Sequence, residues 1–73
     1  MKAVEAKKLK VEDLFNTYVE NNETTLVFEK DNKTFFVRVP VVGKIEEYWD
    51  SEENLKAALN VIEDKDVEVH IES

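Results

Sequence analysis

The sequence has no cysteine and only one glycine and one proline among its 73 residues. The absence of cysteine excludes a disulfide framework and any thiolate metal site. A single glycine leaves no glycine-rich loop of the usual kinds for nucleotide phosphates. Long hydrophobic runs are also missing, since none approaches the roughly 20 residues of a transmembrane helix. The opening residues MKAVEAKKLK lack the apolar core of a signal peptide, so we expect a cytoplasmic protein with no membrane partner.

The charge that is present is unevenly distributed, with a net value of −7. Residues 1–40 contain seven basic and seven acidic side chains, whereas residues 41–73 contain three lysines and ten acidic side chains, so the second segment carries the whole net charge. Lys2, Lys7, Lys8 and Lys10 open the chain as a small basic patch opposed only by Glu5. This asymmetry predicts two partners, phosphates at the basic end and a basic protein at the acidic end.

The size of the chain predicts one domain with a marginal core. A domain this short buries only about 60% of the surface of its unfolded chain. Because no disulfide supports that core, we expect a homodimer or a bound partner to supply further stability.

The first apolar pattern lies in the N-terminal half. Five residues follow the i, i+3, i+4, i+7, i+8 spacing of one helical stripe: Val11, Leu14, Phe15, Tyr18 and Val19. Glu12 and Asp13 favour the start of a helix, and Asn21 and Asn22 favour its end. The pattern therefore predicts an amphipathic helix here, preceded by a short edge strand at residues 2–6.

A β-hairpin is predicted next. Residues 24–30 and 33–40 are rich in β-branched and aromatic side chains, and Asp31 and Asn32 separate them. In the second strand, Phe35, Val37 and Val39 share one face and are predicted to point into the core.

The acidic half predicts one more helix and one more strand. Asp50 or Ser51 is placed to cap the helix, with Glu53 completing a capping box after Asp50, and the apolar stripe consists of Leu55, Ala58, Leu59 and Ile62. Residues 64–66 end the helix, and Val67, Val69 and Ile71 then alternate with polar residues as in a half-buried strand. The predicted fold is α+β, a small β-α-β-β-α-β domain with a central antiparallel hairpin and an amphipathic helix packed on one face.

The sequence offers little that predicts catalysis. His70, the only histidine, is flanked by Glu68 and Glu72, which could form a cation site with it or simply line a solvated strand face; we favour the strand face because no second His or Cys completes a ligand set. No nucleophile or orienting motif accompanies His70. The carboxylates from Glu46 to Glu53 lack the spacing of an EF-hand. We therefore expect a protein that is not an enzyme and that binds no metal or cofactor.

Two groups of residues are candidates for binding. Lys7, Lys8 and Lys10 could contact a phosphate backbone or form an ordinary exposed cluster, and composition alone favours the cluster. Tyr48 and Trp49 could anchor a protein interface or close the core.

Three segments resemble a known family: KAVEAKKLKVEDLFNTYVENN, LVFEKDNKTFFVRVP and EEYWDSEENL. Their order is similar to that of the Phd/YefM antitoxins of type II toxin–antitoxin pairs, whose hairpin closes with Val-Pro as Val39 and Pro40 do here. Asn32 stands where the family usually has glycine, and Thr34 where it has proline.

The resemblance implies a function for each half of the chain. Residues 1–43 would dimerise and bind operator DNA as a transcription repressor, with Lys7, Lys8 and Lys10 near phosphates. Residues 44–73 would wrap a basic toxin and mask it. We expect the residues that contact the toxin to be Tyr48, Trp49, Leu55, Leu59, Ile62, Val67, Val69 and Ile71. The alternative is a self-contained acidic interaction or structural domain, whose last strand joins its own sheet and which has no nucleic-acid role.

Overall fold

The computed structural model describes residues 2–39 and 51–71. In these ranges the chain forms a four-stranded antiparallel sheet with strand order β1-β2-β3-β4. The strands are β1 (Leu14–Glu20), β2 (Glu23–Lys30), β3 (Lys33–Val39) and β4 (Val67–Ile71), and the helices are α1 (Lys2–Ala6) and α2 (Glu52–Leu59). Short 3-10 turns at Val11–Asp13 and Asp64–Asp66 precede β1 and β4. The α+β class is confirmed, but the predicted order of elements is wrong, because the described order is α-β-β-β-α-β.

The predicted first helix is a strand. Leu14 is buried and Phe15 is exposed, whereas one helical stripe would bury both. Phe15, Thr17, Tyr18 and Val19 all favour strands over helices. Asn21 and Asn22, expected to end a helix, form the two-residue turn into β2 instead. Pairing with β2 satisfies backbone groups along β1, so tertiary context decides the conformation of this segment.

The predicted N-terminal edge strand is also wrong, because Lys2–Ala6 forms helix α1. Lysine, alanine and glutamate are good helix formers. A helix of five residues is unstable alone, so packing must hold it. Ala3 and Ala6 are buried, and the Ala3 N–H donates to Asp64 Oδ1 over 2.8 Å.

The predicted hairpin is confirmed as β2 and β3. Asp31 and Asn32 form its turn, and both have positive φ, as the tight turns that match the twist of a hairpin require. The register places Leu26 opposite Val37 and Phe28 opposite Phe35. Paired residues share a face of the sheet, so these side chains lie on one face, which we call the inner face.

The helices cover the inner face and complete one core. As predicted, Phe35, Val37 and Val39 are buried in it. Both halves of the chain contribute to this core: Ala3, Ala6, Leu9, Leu14, Leu26, Phe28, Phe35, Val37, Val39, Leu55, Ala58, Leu59, Ile62 and Val67. The predicted stripe of the second helix is therefore confirmed as buried, although α2 ends at Leu59, before Ile62.

The start of α2 and the last strand also agree with the sequence. Ser51 Oγ accepts the Asn54 N–H over 3.2 Å and caps α2. β4 pairs with β3 from Lys33 opposite Ile71 to Val37 opposite Val67. Its apolar face is only partly covered, since Val67 is buried, Val69 is half-buried and Ile71 is 76% exposed.

Several residues for which the sequence suggested a role lie outside the described residues: Pro40, Glu46, Glu47, Tyr48, Trp49, Asp50 and Glu72. Among the residues that are described, no helix combines the length and the apolar character needed to cross a bilayer.

Candidate functional site

The three lysines predicted to contact DNA lie in the segment that connects α1 to β1. Lys7 and Lys8 directly follow the last residue of α1, and Lys10 precedes the 3-10 turn. All three are exposed, and none forms an ion pair with another described residue. Because Lys7 and Lys8 follow a helix rather than precede one, their own segment does not form the helix N-terminus that was predicted to bind phosphate through its amides. The N-terminus of α2, which lies nearby, carries Glu52 and Glu53. The positive charges of Lys7 and Lys8 instead interact favourably with the negative, C-terminal end of the α1 dipole.

Carboxylates lie close to this basic segment. Glu52 Oε1 accepts the Val11 N–H over 3.0 Å, and Glu53 lines a shallow depression together with Lys7. Lys33 Nζ lies 4.0 Å from Glu5 Oε2. The electrostatic footprint of the lysines is therefore locally reduced, although the side chains remain accessible.

Four of the six described residues that were predicted to mask a partner lie inside the protein. Leu55, Leu59, Ile62 and Val67 belong to the core and are almost fully buried. Of the described candidates, Ile71 alone is mostly exposed, and Val69 is half-buried. In this fold these four buried side chains therefore stabilise the domain itself.

His70 lies on the outer face of the sheet, the face opposite the core, in a small network. Its Nε2 atom is 3.8 Å from Glu68 Oε2. Its ring makes an edge contact with the ring of Phe36, with 5.2 Å between the ring centroids and an angle of 80° between the ring planes. Glu68 Oε1 also lies 3.6 Å from Arg38 Nη1, and Arg38 donates to the Lys65 carbonyl. Arg38 already balances the charge of Glu68, and the described residues include no group of three that could hold a metal.

The fold assembles an acidic surface from both halves of the chain, and the sequence pattern did not predict it. Two adjoining depressions, of about 270 and 430 Å³, share Glu23 and Arg38 among their lining residues. We call the five carboxylates that line them the acidic rim: Glu20, Glu23, Glu63, Asp66 and Glu68. Arg38 and Lys65 are the two cations among them, and Tyr18 adds an aromatic side chain that is 39% exposed.

The acidic rim depends on the β1–β2 turn. Glu20 and Glu23 flank Asn21 and Asn22 and face each other in the register of the two strands. The Asp64–Asp66 turn brings Glu63 and Asp66 to the same end of the sheet, because Val67 opposite Val37 starts β4 there. The two halves of the sequence therefore do not form separate neutral and acidic surfaces in the folded protein, because two carboxylates of the neutral half join the acidic surface.

The second missed feature is strand β1 itself. It exposes Phe15, Tyr18 and Val19, and residues 14–19 carry no charge. The content of aromatic and β-branched residues was a usable signal for a strand, but the helical spacing of the same residues concealed it.

Comparison with known proteins identifies no relative: no family model, no curated protein and no solved structure matches this chain.

Proposed function

We propose that this protein acts without catalysis, as a self-contained acidic domain that binds a basic surface of another protein through the acidic rim. The observation that supports this proposal is the pair of adjoining depressions lined by five carboxylates, with Tyr18 beside them. Carboxylates attract a basic partner and orient its approach, and a partly exposed tyrosine is a common anchor at interfaces.

The burial of the acidic half favours surface binding over wrapping. A partner that took hold of Leu55, Leu59, Ile62 and Val67 would first have to remove them from the core. Burying each such side chain stabilises a protein by about 1.5–3 kcal/mol, so exposing four costs about 6–12 kcal/mol. The whole free energy of unfolding of a domain is about 5–15 kcal/mol, so such a partner would unfold this one.

The burial of these four side chains also limits how an antitoxin with this fold would bind a toxin. A basic toxin of the kind that Phd/YefM antitoxins mask would suit the acidic rim. It would be bound by a folded domain through carboxylates rather than by an extended tail through leucine, isoleucine and valine side chains.

The proposed partner can be sought by site-specific crosslinking in the source cells. A photoreactive amino acid in place of Glu63 should capture one basic protein, whereas the same amino acid in place of Val4, which is exposed on α1, should not. Capture of the same protein from both positions, or of none from Glu63, would contradict binding at the rim.

Affinity measurements with the captured protein then test the charges. Replacing Glu20, Glu23 and Glu63 with glutamine should weaken binding and reduce its salt dependence. The matched control replaces Glu12, Glu29 and Glu53, which are also exposed but lie outside the rim, and should leave the affinity nearly unchanged. Equal losses in the two triple variants would show that net charge alone, and not the rim, drives association.

DNA binding is a second proposal, supported by the exposure of Lys7, Lys8 and Lys10 and their lack of ion pairs with described residues. Replacing the three with alanine should flatten the salt dependence of binding to duplex DNA from the protein's own upstream region by about three units per protomer. The control is replacement of Lys65, which shares no depression with these three lysines and should flatten the salt dependence by less than about one unit. Failure of the unaltered protein to shift this DNA at low salt would exclude the nucleic-acid role.

A further inference from the structure

We propose that strand β1 is the dimer interface, where two copies of the chain pair antiparallel about a twofold axis through Thr17. β1 pairs only with β2, so no other strand among the described residues pairs with its second edge. Such an edge is a template for another strand unless charge, proline or a covering segment blocks it. This interface adjoins the acidic rim, because Tyr18 and Glu20 lie on β1 and also line the rim, but the proposal does not depend on the partner proposed for the rim.

Exposed apolar side chains concentrate on this strand. Of the six large hydrophobic residues that the described structure exposes, three lie on β1: Phe15 at 50%, Tyr18 at 39% and Val19 at 57%. Pairing two such strands removes apolar surface from water on both copies, which favours association.

The charges distinguish β1 from the opposite edge of the sheet. Residues 14–19 are uncharged, and the strand contains neither proline nor lysine. β4 is shorter and carries Glu68 and His70, directly after the charged turn at Asp64–Asp66. Charged side chains usually protect an edge strand against pairing with another chain, so β4 is protected in this way and residues 14–19 of β1 are not.

A second copy is the occupant that this strand fits best. Each chain carries a net charge of −7, so two copies repel over most of their surfaces, and the uncharged strand is where they approach without opposing like charges. Pairing β1 with β1 about a twofold axis also closes the assembly, whereas pairing β1 with β4 would extend it without limit.

One hydrogen bond indicates the register. The Thr17 N–H donates to the side-chain Oδ1 of Asn16 over 2.9 Å, so it points away from β2. Backbone groups alternate in direction along a strand, so Val19 also presents its N–H and C=O to the free edge. A pairing centred on Thr17 uses these groups and places Val19 of each copy next to the irregularity at Phe15 of the other, where the register of β1 shifts between Leu14 and Asn16.

The same hydrogen bond should weaken the dimer, because it competes with pairing between the two copies. Asn16 satisfies the Thr17 N–H in the single copy, so pairing must replace an existing bond rather than satisfy a free donor. Asn16→Ala removes this competitor and should lower the dissociation constant of the dimer.

The register can be tested by disulfide trapping, because the natural chain has no cysteine. In the full chain, Thr17→Cys puts two thiols directly opposite each other across the axis, within the range of 4.4–6.8 Å between Cα atoms that a disulfide spans. Tyr18→Cys is the matched control, since its two copies would be diagonal neighbours, about 7–8 Å apart. We expect oxidation to give a covalent dimer from Thr17→Cys and not from Tyr18→Cys. The reverse outcome, or no covalent dimer from either, would overturn the proposed register.

Sedimentation equilibrium tests the interface without a crosslink. The unaltered chain should form a dimer in the micromolar range, and Asn16→Ala should form it at lower concentration. Val19→Lys should remain a monomer of 8.5 kDa and keep the native circular dichroism spectrum. Val4→Lys introduces the same charge at an exposed residue of α1 and should leave the dimer unchanged. A single 8.5 kDa species for both the unaltered chain and Asn16→Ala at high micromolar concentration would overturn the proposal, and so would a dimer that Val19→Lys does not weaken.

Discussion

Leu14 and Phe15 are adjacent in the sequence but have opposite surroundings. Leu14 is 5% exposed and packs in the core, whereas Phe15 is 50% exposed on the edge strand. Leu14→Ala should reduce the free energy of unfolding by about 2–5 kcal/mol, because it removes a buried side chain and leaves a cavity. Phe15→Ala should change it by less than about 1 kcal/mol, since most exposed substitutions have small effects. Denaturant titration at low protein concentration measures both, and equal large losses would instead indicate the helical stripe.

The turn residues make a second prediction at this scale. Asn22 has a φ of 64°, in the left-handed region that asparagine and glycine tolerate. Asn22→Ala should destabilise the protein by about 1–2 kcal/mol, whereas Asn22→Gly keeps the turn with a smaller change. Asn60 is the control, because its φ is −70° and Asn60→Ala requires no unfavourable backbone conformation. Thermal unfolding of the three variants would contradict this explanation if Asn60→Ala lost as much stability as Asn22→Ala.

At the scale of elements, the sequence was informative where a pattern had only one solution. The β2–β3 hairpin combines β-forming residues with a turn pair, and the α2 stripe has no competing strand pattern, so both were predictable. Residues 11–19 fit a helical stripe and also contain β-forming residues, and spacing alone could not decide between the two. Pairing with β2 decided it, and this contact lies outside the segment itself.

The candidate site was less predictable for the same reason. The choice of Leu55, Leu59, Ile62 and Val67 correctly identified apolar faces, but an apolar face alone does not show whether it covers its own sheet or a partner. The acidic rim needed the β1–β2 turn, which was absent from the predicted fold. Once β1 is recognised as a strand, Glu20 and Glu23 are neighbours by pairing alone.

The N-terminal cap of α2 gives a prediction for one element. Ser51 Oγ accepts the Asn54 N–H, so Ser51→Ala should cost about 0.5–2 kcal/mol of stability. Ser51→Asp keeps an acceptor at the cap and interacts favourably with the helix dipole, so it should retain the stability of the natural chain. Chemical denaturation distinguishes the two, and equal losses would show that the serine acts through packing instead of capping.

At the scale of the whole molecule, residues from both sides of the division at residues 43 and 44 share one core. The core joins Leu9 and Phe28 from the first segment to Leu55 and Leu59 from the second. A fragment of residues 1–43 leaves the inner face of the sheet without α2 and β4. We expect this fragment to lack a cooperative thermal transition, whereas the full chain should show one. A cooperative transition in the fragment alone would establish an independent N-terminal domain.

The hydrogen bond between the Ala3 N–H and Asp64 Oδ1 joins residues 61 positions apart. The three strands of the meander, by contrast, are connected by turns of two residues, and such hairpins form in about 1–10 μs. Closing the longer loop costs more chain entropy, so the meander should assemble first and the contact between α1 and the Asp64 turn should form late. Loss of this contact in Asp64→Ala should therefore accelerate unfolding while leaving the folding rate nearly unchanged. The lifetime of the native state would then depend on the contact between α1 and the Asp64 turn, which joins the two distant parts of the chain.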